Sequence, residues 1–344
     1  MSGTKCICVI YTGGTLGMVR SARGYIPAPD LGGLLRTRMP QLRAEGIPRY
    51  ELVEINPPID SANVTPEFWY DLAARVCALV PHYDGFVIVH GTDTLAYTAS
   101  ALSFLLAGAA KPVVLTGAQI PLVELRSDAH ANLEAALIVA ARAATSEVTV
   151  VFGRRLLRAN RTIKTDSTAL DAFDSPSFSP LADLGSYIQF HDVPKLPPVG
   201  PVEWLEPLAY RPSTIVVLPI FPGIHADMVK GVVDAGAQGL ILECYGRGTA
   251  PDCNEALIHV LGEAIDGGVV AVAVSQCLDG HVALGTYAAG SALAECGVVS
   301  GFDLTREAAF AKMHTLFARE LGSREIAEKM QQNLRGELTP DPEP

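Results

Sequence analysis

The stretch FVIVHGTDTLAYTASALSFLLAG, residues 86–108, decides the fold class. Phe86–His90 is an apolar, β-branched run without polar alternation, which is how a strand reads when both faces of its sheet are covered. Gly91, Thr92, Asp93 and Thr94 are small and polar and break the run. From Thr94 to Gly108 the pattern becomes helical. Strand, short polar turn and helix make half of a crossover unit, from which parallel sheets are built.

The same rhythm recurs on either side. KCICVIY (5–11), YELVEI (50–55), PVVLT (112–116) and VTVVF (148–152) predict further strands. PEFWYDLAARVCALV (66–80) and SDAHANLEAALIVAARAA (127–144) predict helices. Residues 191–213 carry six prolines, cannot form a helix or a central strand, and predict a linker. Beyond it, TIVVLP (214–219), GLILECY (239–245) and GVVAVAV (268–274) resume the strand pattern. A chain of 344 residues, 49% hydrophobic and 18% charged, can fill two cores. The expected organisation is α/β: a mostly parallel N-terminal domain over 1–190, the linker, and a smaller α/β C-terminal domain over 214–344.

Acidic residues outnumber basic ones 37 to 26, and the net charge of −11 opposes binding to nucleic acid or to an anionic membrane surface. No window of about eighteen apolar residues is unbroken. The N-terminal residues lack the apolar segment and cleavage site of a secretory leader. A cytoplasmic protein with no membrane partner is expected. The seven cysteines, at 6, 8, 77, 244, 253, 277 and 296, are irregularly spaced and form no C-x-x-C pair, so no metal site is expected. Cys6 and Cys8 flank Ile7 on one face of a strand and read as small buried hydrophobes.

Open α/β sheets bind ligands outside the carboxyl ends of their strands. That rule brings five loops to one edge. They are Thr12–Gly17 with Thr15, running on to Tyr25; NPPIDSANVTP with Asp60 and Ser61; GTDT with Thr92 and Asp93; GAQIPLVELRSD with Ala118 and Gln119; and GRRLLRANRTIKTDS with Lys164. Each has an ordinary alternative. Thr92–Thr94 suit a helix cap, and Asp60-Ser61 suit an Asx turn. Lys164, among Arg154, Arg155, Arg158 and Arg161, suits a solvated charge, and His90 suits packing. TGGTLG is neither G-x-G-x-x-G nor a P-loop, since Thr15 takes the second glycine's place and no Lys-Ser/Thr follows. No G-x-S-x-G elbow occurs.

A threonine hydroxyl becomes a nucleophile when a base takes its proton, and a lysine in its amine form is such a base. Thr92, Asp93 and Lys164 would supply hydroxyl, carboxylate and amine. Thr15 supplies a second hydroxyl, with Tyr25 as its partner. The glycines of TGGTLG are expected to admit a small amide, and Gly13, Gly14 and Gly91 to leave backbone N–H groups bare to its oxyanion. The set points to acyl transfer from a small amide or ester.

YTGGTLGM, HGTDTLAYTASALSF, TGAQIPLVELRSDAHANL and NRTIKTD resemble the L-asparaginase family, specifically its bacterial type I, cytoplasmic branch, and the similarity runs on to NLRGELTP near the C-terminus. The resemblance implies a Rossmann-like first domain, a smaller second one, and hydrolysis of L-asparagine to L-aspartate and ammonia with no metal or cofactor. It also implies roles. Thr15 attacks the amide carbon and carries a β-aspartyl ester. Tyr25 assists from a mobile loop. Thr92, Asp93 and Lys164 transfer protons and activate water. Ser61, with Asp60, marks the segment that binds the α-carboxylate, Asp93 binds the α-ammonium, and the main chain near Ala118 the amide. A homo-oligomer, dimer or dimer of dimers, is implied as well.

Three positions bear on a second, allosteric asparagine site that some type I enzymes possess. Glu243 stands for its expected arginine and Ile163 for a threonine, while Cys277 is retained. Exchanging an arginine for a glutamate removes the partner of a ligand carboxylate, so this response is expected to be absent or altered. Two other functions stay open at this level: a glutaminase-asparaginase of broader specificity, since one methylene alters binding by only ~1–3 kcal/mol, and a catalytically silent amino-acid-binding protein.

Overall fold

The computed structural model describes residues 5–22, 24–142, 146–194, 196 and 208–340. The chain divides into two compact units, Met1–Pro207 and Leu208–Pro344. Much of the predicted linker, 195 and 197–207, lies outside the described residues.

In the first unit β1 (Cys6–Tyr11) is followed by a hairpin, β2 (Met18–Ser21) and β3 (Gly24–Pro27), and by β4 (Arg49–Glu54), β5 (Gly85–Val89), β6 (Val113–Thr116) and β7 (Val148–Phe152). β4, β1, β5, β6 and β7 lie side by side and parallel, in that order. Helices α1 (Leu31–Arg38), α2 (Pro66–Leu79), α3 (Leu95–Leu105) and α4 (Ala129–Arg142) stand between them in sequence. β8 (Arg155–Arg158) turns back antiparallel on β7. Residues 153–158, expected as loop, thus complete a hairpin, because Leu156 and Leu157 are fully buried there. β9 (Ile163–Lys164) and β10 (Phe173–Asp174) pair with each other, and β11 (Ala182–Leu184) and β12 (Ile188–Phe190) finish the eight-stranded sheet.

Every residue of β5 is buried, and so is α3 apart from Tyr97. Complete burial of a Val, Ile or Phe side chain contributes roughly 1.5–3 kcal/mol, so the elements on either side of GTDT are firmly anchored. Ile7, Val9 and Tyr11 share one core with Val87, Val89, Leu35 and Leu133. Taken in chain order, the parallel strands run 2-1-3-4-5 across the sheet, and the winding reverses between β1 and β5. Doubly wound sheets bind ligands in the crevice at such a reversal.

The second unit is a parallel sheet of β13 (Ile215–Pro219), β14 (Gly239–Cys244), β15 (Val270–Ser275) and β16 (Val299–Ser300). Its helices are α5 (Ala226–Asp234), α6 (Glu255–Asp266), α7 (Ala288–Glu295), α8 (Arg306–Ala318) and α9 (Ser323–Met330). Successive β14 residues alternate between two cores: Leu240 and Leu242 join Val229 and Leu257, whereas Ile241 joins Met313 and Ile326. Lys312 and Glu337 form an ion pair of 2.7 Å with both side chains fully buried. Glu337 also accepts from the N–H groups of Leu334 and Arg335, which closes the NLRGEL turn. Among the described residues no helix is long and apolar enough to cross a membrane, and no group of His, Cys, Asp and Glu could hold a metal.

Candidate active site

Three loops meet backbone on backbone at the β1/β5 crevice. Gly14 has φ +89°, and a Cβ there would stand 2.4 Å from Gly91 Cα. At Gly13, with φ +134°, it would stand 2.0 Å from the Ile59 carbonyl oxygen, and at Gly91 it would stand 2.5 Å from Ser61 Oγ. This crowding accounts for the glycines by itself, beside the expectation that they admit a small amide. Neighbouring backbone excludes side chains here, and the glycines let the loops after β1, β4 and β5 nest. The second part of that expectation fits the structure. The N–H groups of Gly13, Gly14 and Gly91 find no acceptor among the described residues, nor does that of Thr92, although all four residues are buried. A buried donor without a partner costs about 1–3 kcal/mol. Such donors are suited to a developing oxyanion.

Thr92, Asp93 and Lys164 come together. Lys164, paired with Phe173 across β9 and β10, places Nζ 2.9 Å from Thr92 Oγ1 and 2.9 Å from Asp93 Oδ1. Thr92 Oγ1 lies 3.4 Å from Gln119 Oε1, and Gln119 Nε2 donates to Ala169 O at 3.2 Å. The Asp128 carboxylate accepts from the N–H groups of Gln119 and Ile120 and braces this loop, in which Ala118 is buried. The neighbouring arginines are engaged elsewhere: Arg154 with Asp171, Arg155 with Asp174, Arg158 with Glu147. The capping alternative for GTDT does not hold, because the N-cap Thr94 donates its hydroxyl to Ser61 O at 2.8 Å. The Asx-turn alternative does: Asp60 accepts from Ala62 N at 3.1 Å, beside buried Ser61.

His90 is packed, and its bonds leave one arrangement of protons. Gly91 O accepts only, so Nδ1, 2.7 Å away, carries a hydrogen. Trp69 Nε1 donates only, at 3.1 Å to Thr98 Oγ1, whose hydroxyl then donates to His90 Nε2 at 3.1 Å. The chain Trp69 → Thr98 → His90 → Gly91 O runs one way and ends on the GTDT turn. Burial pushes the His90 imidazole down to about 4, against a smaller upward pull from Gly91.

Thr15 opens a short turn, Thr15–Gly17, whose Leu16 carbonyl accepts from Leu122 N at 3.1 Å. Among the described residues no hydrogen bond joins its side chain to the Lys164 group or to Tyr25. Tyr25, 43% exposed on β3, donates its hydroxyl to Glu124 Oε1 at 3.0 Å. Glu124, Asp128 and the Trp69–Thr98–His90 chain escape the sequence because they sit in ordinary polar or apolar runs; only the spacing of Asp128 just ahead of a helix hints at a role.

Residues 6–195 match the asparaginase N-terminal family, and residues 214–330 match the glutaminase/asparaginase C-terminal domain. The chain belongs to the asparaginase family. It is 47% identical over 339 residues to L-asparaginase 1 of Escherichia coli K12, covering 98% of this chain and 99% of that one. Among solved structures, L-asparaginase I of Vibrio cholerae superposes with a TM-score of 0.89 at 41% identity, covering 98% of this chain and all of that one. The thermostable L-asparaginase of Thermococcus kodakarensis superposes at 0.88 with 31% identity, covering 97% and 99%.

Against that family background the two departing residues and the retained Cys277 have clear settings. In this asparaginase Ile163 is buried on β9, paired with Asp174. Glu243, at the carboxyl end of β14, accepts from Arg306 at 3.1 Å, and Arg306 also pairs with Glu307 at 3.1 Å, so the charge that replaces the expected arginine shares a cationic partner within its own unit. Cys277 is exposed, and all seven cysteines are unpaired.

Proposed function

We propose that this chain is an L-asparagine amidohydrolase acting through a β-aspartyl ester on Thr15. The observation that carries the reading is the Thr92–Lys164–Asp93 cluster, with both contacts at 2.9 Å, beside buried and unpartnered N–H groups at the β1/β5 crevice. Thr15 Oγ attacks the side-chain amide carbon, and its proton leaves with the nitrogen as ammonia. The N–H groups of Gly14, Gly91 and Thr92 offset the charge on the amide oxygen. Water then attacks the ester; the Lys164–Thr92 contact takes its proton, Thr15 regains one, and aspartate departs. A Lys164 amine can accept a proton through the same contact by which its ammonium form donates one. Ser61, on the turn that Asp60 closes, holds the α-carboxylate, Asp93 the α-ammonium, and the Ala118 main chain the amide. The unpaired cysteines suit a reducing, cytoplasmic setting, and the working form is a homodimer or a dimer of dimers.

Ammonia release against concentration, for asparagine and for glutamine, tests the reading. Turnover of asparagine by the native protein and none by Thr15→Ala is expected, with an aspartyl adduct on Thr15 after rapid acid quenching. Comparable turnover of glutamine would widen the specificity. Tight retention of asparagine without ammonia would overturn the reading in favour of a silent binding protein.

A further inference from the structure

Glu124 lies outside every role assigned so far. It follows a turn that it closes by donating its N–H to Pro121 O at 2.9 Å, on the loop that grips Leu16 through Leu122 N. Its carboxylate takes Arg20 in a two-pronged ion pair, Nε to Oε1 at 2.6 Å and the second guanidinium nitrogen to Oε2 at 3.0 Å. Oε1 also accepts the Tyr25 hydroxyl. Arg20 and Tyr25 face each other across the β2/β3 hairpin, with the guanidinium 5.7 Å from the ring centroid. One carboxylate therefore holds a cross-strand pair from both of its members.

We propose that Glu124 is a positioning residue that latches the β2/β3 hairpin and orients the Tyr25 phenol toward the Thr15 turn. With its proton donated to Glu124, the phenolic oxygen turns only lone pairs outward, which is the polarity needed to accept a hydrogen bond from a threonine hydroxyl. A phenol free to rotate would present its proton as often as its lone pairs. The loop that carries Glu124 is also bonded to Leu16, so the carboxylate sets Tyr25 relative to Thr15 through a short path of hydrogen bonds. Arg20 and Tyr25 hold the Glu124 carboxyl below its ordinary range, in keeping with an ionised acceptor. The assignment of Tyr25 as partner of Thr15 rests on the proposed amidohydrolase reading, in which Tyr25 assists that hydroxyl, whereas the latch itself does not.

Two measurements on Glu124→Ala, Glu124→Gln, Tyr25→Phe and the double variant Glu124→Ala/Tyr25→Phe separate these points. In steady-state hydrolysis of asparagine, Glu124→Ala lowers kcat at least about tenfold with a smaller change in KM. Glu124→Gln, whose amide oxygen still accepts from the phenol, stays within about threefold of the native enzyme. On the Tyr25→Phe background Glu124→Ala changes kcat by less than about twofold. Equal losses on both backgrounds, or a Glu124→Ala enzyme within about threefold of the native one, would overturn the orienting role. Hydrogen exchange of the hairpin amides, read by mass spectrometry, does not depend on activity. Exchange in β2 and β3 accelerates about tenfold or more in Glu124→Ala while exchange in α2 is unchanged, and unaltered hairpin exchange would overturn the latch even if the protein hydrolysed no amide.

Discussion

The His90 network makes a testable claim about acid stability. The imidazole is neutral in the folded protein, pushed from 6.5 to about 4 mainly by burial, and it titrates normally once the chain unfolds. The unfolded state therefore binds the extra proton as pH falls, and acid works against folding. Above about pH 7 both states are neutral and nothing is lost; the loss grows as pH falls through 6.5 and levels off below about 4. Linkage gives a cost of about 2 kcal/mol between about pH 7 and pH 5, and about 3 kcal/mol in full. The perturbation is His90→Gln, which removes the titrating group and keeps a polar side chain of similar reach. The assay is urea unfolding at both pH values, followed by circular dichroism and by tryptophan fluorescence, since Trp69 belongs to the network. The variant is expected to be less stable at pH 7, having lost a well-formed bond, but to lose about 2 kcal/mol less than the native protein on acidification. His314, also pushed to about 4 by burial, is present in both proteins and cancels. Identical acid sensitivity of the two proteins would refute the assignment of a neutral, proton-refusing His90.

Lys164→Met removes the amine from Thr92 and Asp93 and is expected to lower kcat by about 10²–10⁴-fold. Its melting temperature stays within a few degrees, because the pair is partly exposed; a similar kcat would remove Lys164 from the chemistry. Gly14→Ala combines a positive φ with a Cβ 2.4 Å from Gly91 Cα and should cost at least about 2 kcal/mol of stability in a denaturant titration. Gly24→Ala is the control: φ is +101° but the space around it is open, so equal losses in the two variants would show that loop nesting adds nothing. For Glu243, held by Arg306, the initial rate should rise hyperbolically with asparagine and remain so in Cys277→Ala; a sigmoidal curve abolished by that substitution would contradict it.

The parallel strands and their helices were legible in the sequence because each is buried on both faces and written almost wholly in apolar residues. β8 was not, since RRLLR sets two buried leucines between charged neighbours and follows a glycine turn. Thr92, Asp93 and Lys164 were legible as well, because a hydroxyl, a carboxylate and an amine gathered at strand ends have few structural uses together. What holds them was hidden. Gln119 and Asp128 look like ordinary loop polar residues until their bonds are seen, and Tyr25 gives no sign of its partner across the hairpin and the loop after β6.

The glycines show most clearly where composition stops being informative. A glycine after a strand announces that something comes close, but not what. At Gly14 the nearest atoms to the absent side chain belong to Gly91, in the other motif. TGGT and GTDT are therefore one structural unit as well as two halves of a chemical one. A side chain on Gly14 would strike the backbone of Gly91, a side chain on Gly91 would strike Ser61, and either would part the strands' ends at the reversal point of the sheet. Their joint presence in one chain follows from packing before any substrate is considered. The same close packing leaves the Gly14, Gly91 and Thr92 amides buried without acceptors, so the contact that constrains the motifs also creates the donors that the proposed reaction uses.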